Sequence, residues 1–160
     1  MIHPILRPWE DFYYVGVGEI CVADKDIPLM TGSLSACSAL MAFDKNQDSH
    51  LLAHVLPTGL PISILRTLTD NFNLESQSLE IIVIPGAGFN DYDSCYESPR
   101  FSLSVICQAL DGLRYQIVDD WYKVEREYIS IHNGIIQKHE KESFETSKEL
   151  LPRSLICKPF

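Results

Sequence analysis

Two short apolar runs around a polar segment constrain the fold of this chain more than any other feature. Residues 38–43 read SALMAF, residues 50–56 read HLLAHVL, and the segment between them begins DKNQDS. Apolar runs of this length on either side of a turn are typical of an antiparallel β-hairpin. Both faces of the predicted strands are apolar, so the hairpin is expected inside a sheet that is covered on both sides.

The register of this hairpin decides which side chains meet. A tight two-residue turn at residues 45–46 is favoured, because Asn tolerates positive φ. Asp44 then pairs with Gln47, and counting back along the strands places Cys37 directly opposite His54. Directly opposed residues have Cβ atoms about 4.5–5.5 Å apart. An imidazolium there would stabilise a thiolate, the nucleophilic form of cysteine. The alternative interpretation is a core cysteine beside a structural histidine.

Small residues surround the candidate nucleophile in sequence. The segment TGSLSA occupies residues 31–36, directly before Cys37. A loop of small residues in this position can direct backbone N–H groups at an oxyanion. We therefore expect the backbone around Leu34, Ser35 and Ala36 to bind the substrate oxygen. The segment PGAG at residues 85–88 follows a predicted strand, and its Gly86 is expected in a tight turn beside the same site rather than in a phosphate loop, because the full dinucleotide pattern is absent.

The remaining elements follow from periodicity and turn signals. Strands are predicted over 13–22, 79–84, 114–119 and 126–132, helices over 61–73 (with Thr58 as a cap) and 101–110, and a hairpin turn at Asn133-Gly134. A mostly β chain with two helices indicates an α+β layered sandwich. The length of 160 residues fits one domain, 1–160, with a real core.

Composition excludes several classes of function. The net charge of −9 argues against a nucleic-acid partner, since phosphate binding needs clustered Lys and Arg. No segment has the roughly 20 apolar residues that span a bilayer, so no membrane insertion is expected. The N-terminus lacks the apolar core of a signal peptide, so a cytoplasmic protein is the default expectation, with a secreted effector as the alternative.

Cysteine and acidic residues give no second site. The five cysteines are odd in number and include no CxxC pair, so a disulfide framework or a cysteine zinc site is not expected. Cys95 lies in a polar loop with no histidine near it in sequence. His50, Asp48 and Asp44 are interpreted as solvated turn residues rather than metal ligands. No metal and no organic cofactor are therefore expected.

These same residues resemble the bacterial chemotaxis protein CheD and its relatives. YVGVGEICVA is similar to the opening strand of that family, and LAHVLP at 52–57 is similar to its histidine strand. Thr31 lies six residues before Cys37 and His54 lies seventeen after it, which are the family's spacings. PGAG resembles its glycine-glycine-alanine loop and REYISIHNGIIQKHE its C-terminal hairpin. The resemblance covers about residues 13–140.

The resemblance implies both a fold and a reaction. CheD-like proteins are α/β/α sandwiches with mostly antiparallel sheets that deamidate glutamine side chains of chemoreceptors. By position, Cys37 would attack the amide, His54 would act as base, and Thr31 would orient the histidine. The substrate would be a protein presenting a glutamine: a chemoreceptor-like helix, or a host protein as for deamidase toxins of the cytotoxic necrotising type. The alternative is a catalytically vestigial CheD-like module that binds a regulatory protein partner.

Overall fold

The computed structural model describes residues 12–32, 34, 36–86, 98–118, 127–140 and 157–159. These residues form two helices and ten strands. In chain order the elements are β1 Tyr13–Tyr14, β2 Glu19–Asp24, β3 Leu29–Gly32, β4 Ser38–Asp44, β5 Ser49–Val55, α1 Pro61–Asn71, β6 Leu79–Ile84, α2 Ser98–Ala109, β7 Gln116–Ile117, β8 Glu127–His132, β9 Ile135–Glu140 and β10 Cys157–Pro159.

The strands form two sheets. The larger has six strands in the order β10-β2-β5-β4-β6-β7, and the smaller has four in the order β1-β3-β8-β9. Only the β6–β7 and β1–β3 pairs are parallel among the described strands. The predicted hairpin is present as β4 and β5 at the centre of the larger sheet. The expected α+β class and the mostly antiparallel pairing are both confirmed.

The central hairpin is buried on both faces, as its two apolar faces predict. On β4, Leu40 and Ala42 pack into the cluster that contains residues of α1 and α2, whereas Ala39 and Met41 pack into a second cluster with Ile131 of β8. Alternate side chains of a strand point to opposite faces, so one face lies under the helices and the other under the smaller sheet. The described layers are therefore helix, sheet and sheet, and not the predicted α/β/α order.

Helix α1 matches its predicted position but not its predicted cap. It begins at Pro61, whose missing N–H would have no partner in a first turn. The N-cap residue is Leu60, which makes no side-chain capping bond, so the prediction of Thr58 as the cap is wrong. Ile64 and Leu68 lie one turn apart on the buried face, which anchors the helix to the sheet.

The predicted first strand is in fact two strands in different sheets. β1 belongs to the four-stranded sheet and β2 to the six-stranded sheet. The break between them includes Gly18, whose φ of 75° is readily adopted only by glycine. Strand β3 is absent from the sequence prediction, which places Thr31 and Gly32 at the start of the loop before Cys37. That difference moves Thr31 onto the smaller sheet.

Two turn and crosslink expectations have opposite outcomes. The Asn133-Gly134 hairpin turn between β8 and β9 is confirmed, and both residues have positive φ. A disulfide framework is not expected from the cysteine pattern, and that expectation misses the disulfide in which Cys21 takes part. The residue opposite Cys21 in the β2–β10 register is Cys157. Cys37 and Cys107 are free thiols.

Candidate functional site: a buried histidine between the two sheets

His54 is held between the two sheets by a hydroxyl of the smaller one. Its side chain extends from β5 of the larger sheet and is 1% exposed. Its Nδ1 lies 2.8 Å from Oγ1 of Thr31 on β3, and Thr31 Oγ1 donates a hydrogen bond of 2.7 Å to the carbonyl oxygen of Val15. A hydroxyl has one proton to donate, so Oγ1 accepts from His54. The proton of the neutral ring is therefore on Nδ1, and Nε2 carries the lone pair.

The Nε2 atom of His54 is buried without a hydrogen-bond partner among the described residues. A buried acceptor in that state costs about 1–3 kcal/mol, and such atoms are uncommon in folded proteins. Burial also lowers the pKa of His54 from 6.5 to about 4, because the charged ring cannot be solvated. At neutral pH the ring is thus an uncharged base with a fixed tautomer and a free lone pair.

Cys37 lies immediately before β4, on the same face of the sheet as His54. The register pairs Ala39, and not Cys37, with His54, so the predicted direct opposition of Cys37 and His54 is wrong by two residues. The shift preserves the face, because side chains alternate with a period of two. Cys37 becomes a diagonal neighbour of His54, a relation that spans about 7–8 Å between backbones, and its thiol makes no hydrogen bond to His54 Nε2.

The turn explains this shift of register. The strands are joined through residues 45–48 rather than by a two-residue turn. The Asp44 carboxylate accepts hydrogen bonds from the Asn46 N–H and from the hydroxyl of Ser78, while the Asp44 carbonyl accepts one from the Gln47 N–H. Ser78 lies 34 residues further along the chain. The turn geometry therefore depends on a long-range contact that the hairpin sequence alone does not contain.

The electrostatic state of the Cys37–His54 pair also differs from the expectation. Cys37 is 7% exposed, and burial raises the pKa of its thiol above 9.0. The pKa of His54 moves down for the same reason. Both shifts favour uncharged groups, so the resting pair is a thiol and an imidazole. The stabilised thiolate beside an imidazolium, expected from the sequence, does not fit a site this dry.

Three further contacts position the pair and were not found from sequence. The N–H of Gly18 donates to the carbonyl oxygen of His54 over 3.0 Å. The hydroxyls of Ser38 and Ser102 lie 2.8 Å apart and join β4, next to Cys37, to α2. The Val15 carbonyl holds the Thr31 hydroxyl. Contacts made by backbone N–H and carbonyl groups cannot be predicted from residue type. Gly18 is a partial exception, because glycine at such a position indicates close backbone approach.

The expected oxyanion residues are only partly described. Leu34 and Gly86 are buried, Ala36 is half-buried, and Ser35 lies outside the described residues. Ala39 pairs with Ile84 at the end of the β4–β6 ladder. Cys37 precedes this pair by two residues and Gly86 follows it by two, so both lie beyond the same end of the sheet. The chain thus brings Gly86, from the second small-residue segment, to the same end of the sheet as Cys37.

The residues near the hairpin turn are not the solvated group predicted from sequence. His50 is fully buried, donates from Nε2 to the Ile27 carbonyl oxygen over 2.7 Å, and has its pKa lowered to about 4 by burial. Asp44 is 3% exposed, and its pKa is lowered by hydrogen bonds from Ser76 and Ser78. Only the Asp48 side chain is solvated, at 92% exposure.

No metal centre is formed by the part of the chain that the structure describes. There, no three His, Cys, Asp or Glu side chains are grouped closely enough to hold a metal ion. Cys95 lies outside the described residues.

No protein-family profile matches this chain, and no curated protein matches it. Neither described helix has the length and apolar character needed to cross a bilayer. Inferences about function therefore depend on the site geometry and on the sequence resemblance.

Proposed function

We propose that this protein is a cysteine-dependent protein-glutamine deamidase, with Cys37 as nucleophile, His54 as base and Thr31 as the positioning residue. The observation that carries the proposal is the state of His54. Its Nδ1–H is held by Thr31, and its buried Nε2 has no partner among the described residues. A buried base left unpaired on the same face as a free thiol is suited to acyl transfer. The choice of a glutamine amide rests on the CheD resemblance.

The reaction proceeds in two halves. As the Cys37 sulfur attacks the carboxamide carbon, the thiol proton passes to Nε2 of His54. The tetrahedral oxyanion accepts hydrogen bonds from the backbone around Leu34, Ser35, Ala36 and Gly86. His54 then gives its proton to the departing nitrogen, and ammonia leaves a thioester. Water attacks the thioester, His54 takes a proton from the water, and the thiol is regenerated as glutamate leaves.

The pKa shifts indicate how the first half is driven. A thiolate formed in advance would be an unsolvated anion in a buried site, which the raised pKa of Cys37 disfavours. Proton transfer to His54 during the attack avoids that species. The developing imidazolium is stabilised by the Nδ1–H bond to Thr31, whose hydroxyl is polarised in turn by the Val15 carbonyl.

The direct test is conversion of glutamine to glutamate. The protein is incubated with an N-blocked glutamine dipeptide and with an unfolded glutamine-rich protein, and ammonia release is measured with a mass shift of about one dalton per converted residue. The parent should convert glutamine, and Cys37→Ala and His54→Gln should not. Cys107→Ala is the matched control, since Cys107 is the other free thiol among the described cysteines and lies on α2. Conversion by Cys37→Ala at the parental rate would exclude this mechanism.

One observation favours the effector alternative over a cytoplasmic chemotaxis regulator. Cys21 is disulfide-bonded, and disulfides persist mainly in oxidising compartments. A secreted deamidase would act on a protein of another cell. Because Cys21 is fully buried, alkylation in denaturant, without reductant, of the protein recovered from its native source tests this: Cys21 should stay unmodified. Rapid alkylation of Cys21 would favour the cytoplasmic regulator, which is the reading that the CheD resemblance implies.

A further inference from the structure

Among the residues that the structure describes, four large apolar side chains are more than half exposed to solvent. They are Val17 at 61%, Leu60 at 58%, Ile62 at 57% and Phe101 at 54%. Single exposed apolar residues are common, but a group of them around one feature marks an interaction site. We call these four residues the apolar rim, because they belong to segments at the end of the larger sheet where Cys37 and His54 lie.

All four belong to segments that reach the end of the larger sheet where Cys37 and His54 lie. Val17 precedes Gly18, whose N–H binds the His54 carbonyl. Leu60 is the N-cap of α1 and Ile62 lies in its first turn, and α1 is the element that follows β5 in the chain.

Phe101 reaches the same end from α2. It is adjacent to Ser102, whose hydroxyl contacts Ser38 at the start of β4. The segment that leads into α1 also lies against α2, because a Cβ built on Gly59 would lie 3.5 Å from Val105 of α2.

The opposite end of the central hairpin has a different surface. Its turn exposes Lys45, Asn46 and Asp48, and Asp48 pairs with Lys25 over 3.7 Å. Ile117 is the remaining large apolar residue that is exposed in the described part, at 41%. It pairs with Val83 near the same end of the sheet, but it lies on β7, which β4 and β6 separate from β5. Large apolar exposure is thus concentrated beside the candidate site.

We propose that the apolar rim is the docking surface for the substrate, and that it selects a protein segment in which apolar side chains flank the glutamine. This inference rests on the proposed function. Cys37 and His54 are 7% and 1% exposed, so they are reached only by a side chain that projects inward from a segment lying on the surface. Apolar neighbours of that glutamine would cover the rim, and this contact would exclude bulk water from the entrance.

Charge argues for this occupant over three others. The net charge of −9 opposes an anionic membrane surface and nucleic acid, but is compatible with a neutral or basic protein segment. A second copy of the chain would carry the same negative charge, and its docking on the rim would cover the candidate site. The substrate segment is therefore the occupant that the rim fits.

Binding is tested with the full-length Cys37→Ala variant, which cannot turn over. Two fluorescein-labelled peptides are compared by anisotropy: one has glutamine flanked by Leu and Val, the other has Asn at those positions, and both carry the same terminal Lys residues. We expect the apolar peptide to bind about tenfold more tightly. Adding Leu60→Asn or Phe101→Asn should weaken its binding about three- to tenfold. Leu60→Asn is compatible with folding, because Asn is favoured at the N-cap that Leu60 occupies.

Ile117→Asn is the matched control, since it removes an exposed apolar residue on β7, three strands across the sheet from His54 on β5. It should leave peptide binding unchanged. Thermal melting should verify that each variant is folded, and Ile62→Asn is used in place of any variant that does not fold. Equal binding of the two peptides, or equal weakening by Ile117→Asn, would overturn the inference. A parent dimer that Leu60→Asn converts to monomer would assign the rim to a second copy and overturn it too.

The outcomes for the rim and for the reaction are separable. Selective peptide binding without glutamine conversion by the parent would support the rim and defeat the deamidase proposal. Glutamine conversion by the parent with no preference between the two peptides would support the deamidase proposal and defeat the proposal for the rim.

Discussion

Replacing Thr31 with valine tests the link between the two sheets and the chemistry of His54 in one variant. Valine has nearly the shape of threonine but has no hydroxyl. It would remove the acceptor of the His54 Nδ1–H and the donor to the Val15 carbonyl. Thr31 is fully buried, so water cannot replace either bond without rearrangement.

The cost follows from the two groups left unpaired. Each buried polar group without a partner costs about 1–3 kcal/mol, and the added methyl returns about 0.8 kcal/mol, so Thr31→Val should lose about 1–5 kcal/mol of unfolding free energy. Thr31→Ser retains the hydroxyl and should lose only about 1 kcal/mol for one buried methyl.

The effect on activity has a separate cause. Without an acceptor at Nδ1, the His54 proton is free to move to Nε2, which then no longer accepts the thiol proton. Loss of a charged orienting partner costs about 10⁴-fold in a serine-protease triad, so loss of a neutral hydroxyl should cost less, about 10²-fold. Thr31→Ser retains the hydroxyl, so its rate of glutamine conversion should remain near that of the parent.

Urea unfolding and glutamine conversion are measured on the parent and both variants. A purely structural role for Thr31 would lower stability but leave the rate per folded molecule unchanged. If Thr31→Val unfolded at the parental urea concentration and converted glutamine at the parental rate, the hydroxyl bridge would have neither role.

Three further predictions follow from the site. Cys37→Ser should unfold within about 1 kcal/mol of the parent yet convert no glutamine, as urea unfolding and ammonia release would show; retained conversion would refute the nucleophile. The iodoacetamide labelling rate of Cys37 should keep rising above pH 9, because burial raises its pKa; a plateau near neutral pH would instead indicate a preformed thiolate pair. His50 and His54 have pKa values near 4 when folded and 6.5 when unfolded, so between these values the unfolded chain binds more protons and the unfolding free energy rises with pH. Their contribution, on the order of 3 kcal/mol each, should be complete above pH 6.5 and lost as the pH falls towards 4; urea unfolding that shows no change across this range would contradict neutral buried histidines.

Local patterns determined the main elements of this protein. The apolar runs at 38–43 and 50–56 specified the central hairpin, and the spacing of Ile64 and Leu68 belongs to a helix at the predicted place. Alternation along a strand also explains why Cys37 and His54 share a face even though the predicted register was wrong, because a shift of two residues leaves the face unchanged. These features depend on neighbours within a few residues.

The tertiary structure decided the partners and the charge state of the candidate site. Thr31 meets His54 from another sheet, and the hairpin register depends on Ser78, which is far from the turn in sequence. The thiol and the imidazole are uncharged because both are buried, and burial depends on all the layers packed around them. Residue type and spacing specify what a side chain can do, but its desolvation and its long-range contacts arise only when distant segments pack together.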